Sequence, residues 1–259
     1  MSEKYFSKEQ IEALCPFIKA EIVEECGSTS TLLKEKAKNT EGEFYALFAK
    51  RQTAGRGRLS RSFLSPCGGL YFSILLRPQL SPEDATLITS AAAVAAAKAA
   101  EKISGKAAKI KWVNDIFIED KKVCGILCEG NIDSKTQKFE YVVLGVGMNV
   151  FEPKEGFDEE IKNIAAALFK GEENEHFYLN LAAEFLNCFK GYYDDILSKE
   201  YMEEYIEKSY LTGKEIYYFK DGDQHNAKVL GIDRDGALVI DENGEEIKLF
   251  SGEVSVKIK

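Results

Sequence analysis

The sequence predicts an α/β chain that ends in a small β-barrel. Two observations carry this. Apolar strand-like runs alternate with amphipathic helical stretches through residue 210, and Gly, Pro and Ser clusters separate them. After Gly213 the helical period disappears. Short strands follow, split by Asp221-Gly222, Asp235-Gly236, Asn243-Gly244 and Ser251-Gly252. Strands and turns at that density read as a small barrel. A boundary near Leu211 divides the chain into domains 1–210 and 211–259.

The elements follow in order. Ser7 with Gln10 three residues on forms a capping box for a first short helix. Glu21–Glu25 reads as a strand, Thr29–Lys38 as a helix and Phe44–Lys50 as an apolar strand. Arg51–Gly69, with four glycines and many cations, reads as a loop, and Leu70–Leu76 as a strand stopped by Pro78. Ser81 as N-cap, Pro82 in the first turn and Glu83-Asp84 at the positive end of the dipole start a helix that runs to Ser104, where Gly105 stops it. Ile110–Ile118, Val123–Glu129 and Phe139–Val150 read as strands of a meander, the first two joined by Glu119-Asp120-Lys121-Lys122. Phe177–Leu197 is an amphipathic helix with an aromatic face, and Lys199–Tyr210 a shorter one.

Composition narrows the function classes. With 45% hydrophobic residues the chain can bury a core, which excludes a wholly disordered protein. A net charge of −9 does not favour nonspecific nucleic-acid binding. The apolar run Ala91–Ala100 contains Lys98 and is too short to cross a bilayer, and Met1–Gln10 has no signal-peptide apolar region. Six cysteines without an export signal read as reduced thiols in the cytoplasm. Cys124 and Cys128 fall in a strand pattern and only His176 and His225 accompany them, so no zinc site is predicted.

The loop Lys50–Arg61 holds five cations and no acid. Glycines let its backbone approach a ligand closely, and arginine forks grip carboxylate or phosphate. Charge alone leaves two readings open, a loop that closes over an anion and a solvated basic loop. Neither Gly55-x-Gly57 nor Gly145-x-Gly147 completes a dinucleotide fingerprint, and no Gly-Lys-Ser/Thr phosphate loop occurs.

Further segments decide between them. Gly55-Arg56-Gly57-Arg58 precedes Ser65-Pro66 and Gly69-Leu70-Tyr71-Phe72-Ser73. Lys111-Trp112-Val113-Asn114-Asp115, Lys122–Leu127 and Gly147-Met148-Asn149 follow. In this order and spacing the set resembles the bacterial biotin–protein ligases, strongly over Glu25–Val150 and loosely elsewhere. The resemblance implies a class II synthetase-like catalytic domain, with a mixed, mostly antiparallel sheet and flanking helices, followed by an SH3-like barrel. It implies an ATP-dependent reaction in which biotin becomes biotinyl-5′-AMP and passes to a lysine of the biotin carboxyl carrier protein of acetyl-CoA carboxylase. ATP and Mg²⁺ are the expected substrate and metal, with no permanently bound cofactor.

The resemblance also assigns residues. Ser28, Thr29 and Gln52 match the biotin head pocket, and Gly55, Arg56, Gly57 and Arg58 the loop over biotin and adenylate. Arg61 matches an arginine facing phosphate, and Lys111, Asn114 and Asp115 the triphosphate region, with Asp115 the candidate Mg²⁺ ligand. Lys122 matches the lysine at the carboxyl–phosphate junction, Gly125 the glycine lining the biotin tail and Asn149 the asparagine beside the nucleotide. Catalysis is thus expected from Lys122, Arg58 and Asp115. Three positions depart from the family. Ser30 replaces Asn or Gln, Phe63 replaces a Trp and is expected as a lid on adenine, and Cys67 replaces an aromatic or small residue. Only 27 residues precede Ser28, too few for a winged helix-turn-helix, so the enzyme-only form is expected, without DNA or membrane partners. An edge strand leaves a homodimer open. The rivals are a lipoate–protein ligase and a ligand-sensing regulator.

Overall fold

The computed structural model describes residues 5–220, 223–250 and 255–258. Two sheets organise it. The first has seven strands in the order β1-β2-β3-β7-β6-β5-β4. They span Lys19–Cys26 (β1), Tyr45–Gln52 (β2), Gly69–Leu76 (β3), Lys109–Lys111 (β4), Asp115–Ile118 (β5), Lys121–Ile132 (β6) and Phe139–Asn149 (β7). Only β1 and β2 are parallel; every other neighbour is antiparallel, so the sheet is mixed and mostly antiparallel. The expected meander is present as β5-β6-β7.

The helices are α1 (Lys8–Leu14), α2 (Thr29–Ala37), α3 (Ala85–Ser104), α4 (Glu175–Asp194) and α5 (Met202–Glu207). The Ser7–Gln10 capping box forms as read, and Gly105 ends α3 in the left-handed conformation at φ 71°. Three expectations need correcting. Helix α3 starts at Ala85, because Pro82–Asp84 form a separate 3-10 turn and the Ser81 hydroxyl bonds the Asp84 carboxylate instead of a helical N–H. The second C-terminal helix is shorter than Lys199–Tyr210, since Lys199 is left-handed at φ 57°. The run Ile110–Ile118 is not one strand. It folds back at Trp112–Asn114, so that Lys111 pairs with Asp115.

The two faces of the first sheet have different fates. On one, Leu70, Phe72, Ile74, Leu76, Val142, Leu144, Val146 and Met148 join the main core with α3 and α4. Complete burial of a Leu or Phe side chain contributes about 1.5–3 kcal/mol, and α3 buries mostly alanines, which lets it lie close. On the other face Leu75, Val143 and Leu47 pack with Leu33 and Ala37 of α2. Beyond that small cluster the same face carries Ser73, Gly145, Gly147 and Gly125. Missing side chains there leave a concavity.

The second sheet is antiparallel, in the order β11-β10-β9-β8-β12. Its strands are Glu215–Lys220 (β8), Asp223–Ile232 (β9), Leu238–Glu242 (β10), Glu245–Leu249 (β11) and Ser255–Ile258 (β12). The Trp112 indole N–H donates to the Gly236 carbonyl at 2.9 Å, tying the β4–β5 hairpin to the β9–β10 turn. Asp221-Gly222 and Ser251-Gly252 lie outside the described residues.

Candidate active site

A cavity of about 180 Å³ opens on the glycine face of the first sheet. Its walls come from the start of α2, the cationic loop, the β4–β5 hairpin and strands β6 and β7; Val256 of β12 also reaches it.

One end is a hydroxyl–amide cluster. Ser28 caps α2, its hydroxyl accepting from the Thr31 N–H. The Thr29 N–H and hydroxyl both donate to Gln52 Oε1, at 2.8 and 3.1 Å. The Thr29 and Ser30 hydroxyls lie 2.8 and 3.0 Å from that of Ser73. Gln52 Nε2 donates to the Ser65 hydroxyl at 2.8 Å, which fixes the direction of the amide. Ser28, Thr29, Ser30 and Ser73 are buried. Buried hydroxyls joined in a network are preorganised to donate to, and accept from, a neutral polar ligand group.

The middle is a glycine floor. Gly125 and Gly147 face each other across β6 and β7, and the Phe63 ring lies over both. A Cβ on Gly147 would meet Phe63 at 2.6 Å, and one on Gly125 at 2.9 Å. The Lys122 ammonium sits 5.5 Å from the centre of that ring.

The other end is cationic. Lys122 Nζ lies 2.7 Å from Asp115 Oδ1. The Arg58 guanidinium donates to Asn114 Oδ1 at 3.3 Å, and Asn114 Nδ2 donates to the Ile126 carbonyl at 2.6 Å. The hairpin is held from behind by the Tyr205 hydroxyl, which donates to the Val113 carbonyl. Lys111 is held below the ordinary lysine value, first by burial and then by Lys122, Lys214 and Arg61 nearby, with Asp115 opposing. Burial likewise lowers Arg58, again opposed by Asp115. Lys111, Lys122, Arg58 and Arg61 line one cavity with a single carboxylate, that of Asp115. Such an excess of positive charge in a partly dry cleft is built for a polyanion.

Most residues expected from sequence meet here. Ser28, Thr29, Gln52, Arg56, Arg58, Arg61, Phe63, Lys111, Asn114, Asp115, Lys122 and Gly125 all line the cavity. Two expected residues do not. Gly55 stands behind it, where a Cβ would meet the Phe63 carbonyl at 2.3 Å, so its role is close backbone packing under the loop. Asn149 is buried and donates to the Ala166 carbonyl at 3.1 Å, holding the chain that runs beside β7. The Phe63 ring rests on the glycine floor. Ser73, Ser30 and Val256 were not among the expected residues. Ser73 is the lone serine in an apolar strand, a readable signal. Ser30 matters through the same Ser73 hydroxyl. Val256 carries no local signal.

Comparison with known proteins settles the relationship. The description "Biotin/lipoate A/B protein ligase family" matches residues 24–149. The Bacillus subtilis bifunctional ligase/repressor BirA is 31% identical over 233 residues, covering 88% of this chain and 71% of that protein. The chain belongs to the biotin/lipoate A/B protein ligase family. Another member, the biotin–[acetyl-CoA-carboxylase] ligase of Mycobacterium tuberculosis, is 28% identical over 248 residues, covering 90% of this chain and 87% of that one. Among solved members, the biotin protein ligase of Aquifex aeolicus in complex with biotin and ATP superposes with a TM-score of 0.75 at 27% identity, over 93% of this chain and 99% of that one. The family match includes the loop, the hairpin and both glycine strands, and so the whole glycine-floored cavity except Val256.

Proposed function

We propose that this chain is an ATP-dependent biotin–protein ligase. One observation carries the reading: a hydroxyl–amide cluster and a four-cation cluster occupy opposite ends of one cavity, joined by a floor of glycine. Biotin is a neutral bicyclic urea on an apolar chain that ends in a carboxylate. The Ser28–Thr29–Gln52 end suits the urea, the floor at Gly125 and Gly147 suits the chain, and the cationic end suits a carboxylate meeting a triphosphate.

The carboxylate oxygen attacks the α-phosphorus of ATP. A C–O–P mixed anhydride forms, the bond to the β-phosphate oxygen breaks, and pyrophosphate leaves. Both reactants are anions, so the barrier contains their repulsion. Lys122 and Arg58 offset charge that builds on the phosphoryl oxygens, while Lys111 and Arg61 hold the leaving phosphates. In the second step the neutral ε-amine of a carrier lysine attacks the acyl carbon. A C–N bond forms, the C–O bond to AMP breaks, and the amine proton goes to solvent. The carrier assigned is the biotin carboxyl carrier protein of acetyl-CoA carboxylase.

Magnesium fits only together with the nucleotide. No group of three His, Cys, Asp or Glu side chains is placed to hold a metal ion among the described residues. Mg²⁺ commonly uses one or two carboxylates with substrate phosphates and water, and Asp115 is the carboxylate on hand. Bound there, it would neutralise phosphate charge. We place the protein in the cytoplasm, in keeping with six free cysteines and with no membrane-spanning helix among the described residues. We assign β8–β12 as an SH3-like barrel on the basis of five short antiparallel strands.

Mass spectrometry of a purified carrier domain incubated with the chain, ATP, Mg²⁺ and equal biotin and lipoate tests the reading. A single-lysine adduct of biotin is expected. A lipoyl adduct in preference to it, or none, overturns the proposal.

A further inference from the structure

Glu129 lies on β6 four residues beyond Gly125, on the same face of the strand by its period of two. It stands past Leu127, at the rim of the cavity. Its Oε1 accepts from two cations of different elements. Lys34 Nζ of α2 is 2.7 Å away, and Arg56 Nη2 of the loop is 3.1 Å away. Its Oε2 is buried and has no hydrogen-bond partner. The side chain is 22% exposed, against 44% for Arg56.

This geometry is unusual for a surface ion pair. A carboxylate with one oxygen desolvated and unpaired is costly unless the other is strongly engaged. Lys34 and Arg56 together supply that engagement. The helix they join to the loop is the one whose N-terminus carries Ser28, Thr29 and Ser30. Gly55 and Gly57 flank Arg56 and pair through their backbones with Phe63 and Arg61, so the loop is a small hairpin that the Arg56 side chain ties to the rim.

We infer that Glu129 is a positioning residue that latches the cationic loop. Its carboxylate binds Arg56 to Lys34, fixing the entry of the loop against α2 and the rim of β6. Arg58 and Arg61, two and five residues further on, are thereby kept over the phosphate end of the cavity. Without the latch the loop opens more often, ligand-free or liganded. The second consequence rests on the ligase reading; the first does not.

Limited trypsin digestion of the ligand-free full chain tests the latch directly. Glu129→Gln keeps the shape and removes the charge. Cleavage after Arg56, Arg58 and Arg61 should quicken about fivefold, while cleavage at exposed Lys135 and Lys138 in the β6–β7 turn stays unchanged. General loosening would quicken both regions alike and overturns the proposal. Arg56→Gln breaks the same pair from the exposed side and should quicken cleavage after Arg58 and Arg61 equally. With biotin and ATP, Glu129→Gln should release the adenylate about tenfold faster, close to 1.4 kcal/mol, while single-turnover adenylate formation stays within about twofold. A normal digest with altered turnover would overturn the latch; an altered digest without any adenylate would leave it standing and overturn the ligase reading.

Discussion

The Lys122 ammonium and the Asp115 carboxylate meet at 2.7 Å across adjacent strands β5 and β6, in a cavity whose other charged residues are all cations. The pair keeps Lys122 oriented before any anion arrives. Lys122→Ala therefore does two things. It removes charge that stabilises the transition state, and it leaves Asp115 facing incoming phosphates. Adenylate formation should slow by about 10²–10³-fold in a pyrophosphate-release assay. A single-turnover rate near that of the parent for Lys122→Ala contradicts the role.

Gly147→Ala tests the floor. Its new Cβ would meet the Phe63 ring at 2.6 Å, and a loop-borne ring can move aside more easily than a strand. Unfolding stability should change by less than about 1 kcal/mol. Biotin affinity, measured by titration calorimetry, should fall at least about tenfold, or 1.4 kcal/mol, because the added methyl occupies the ligand's path. Phe63→Ala should weaken ATP more than biotin if the ring serves adenine once displaced; equal losses for both ligands assign it to the floor.

Trp112→Phe removes the indole N–H and strands the Gly236 carbonyl at a buried contact. Loss of a partner from a buried acceptor costs about 1–3 kcal/mol, to be read as a lower urea midpoint. Because Trp112 sits between Lys111 and Asn114, the KM for ATP should rise while that for biotin holds. An unchanged ATP KM would show that the link to the second sheet serves stability alone.

Much of this was legible in sequence, and what was not has local physical causes. Gly105 and Glu119-Asp120 announced their turns by residue type, and both adopt positive φ, as a helix stop and a tight hairpin require. The reversal at Trp112 was hidden because Ile110–Ile118 keeps a strand-like pattern straight through it and has no Gly or Pro. Glycine was misleading in one place. Gly55 and Gly125 look alike in sequence, yet one packs under the loop and the other floors the cavity, a difference set by partners distant along the chain. Glu129 was invisible for the same reason, since Lys34 and Arg56 reach it from other elements.

Lys111 supplies a pH test. Burial holds it below the ordinary lysine value. A polyphosphate is bound better by the protonated form, so affinity is complete below the lowered pKa and is lost as pH rises through it. ATP binding should therefore weaken on the alkaline side before an exposed lysine would titrate. Lys111→Arg should abolish that alkaline limb, since a guanidinium stays charged. A limb that persists in the arginine variant assigns it to another group.

Arg58 joins the loop to the hairpin through Asn114, and burial shows that it already points inward. Arg58→Gly removes a charge-assisted fork and adds backbone freedom to a loop that has Gly57 as its neighbour. The loop should then close poorly over a bound mixed anhydride, which water and foreign amines would reach. The variant is expected to form adenylate, to release it at least about tenfold faster, and so to label lysines on proteins added as bystanders. Biotin with ATP should protect the parent from trypsin at Arg56, Arg58 and Arg61, and should protect the variant much less at Arg56 and Arg61. If ligand leaves cleavage of the parent unaltered, or if Arg58→Gly retains its adenylate as the parent does, closure of this loop is not what shields the intermediate.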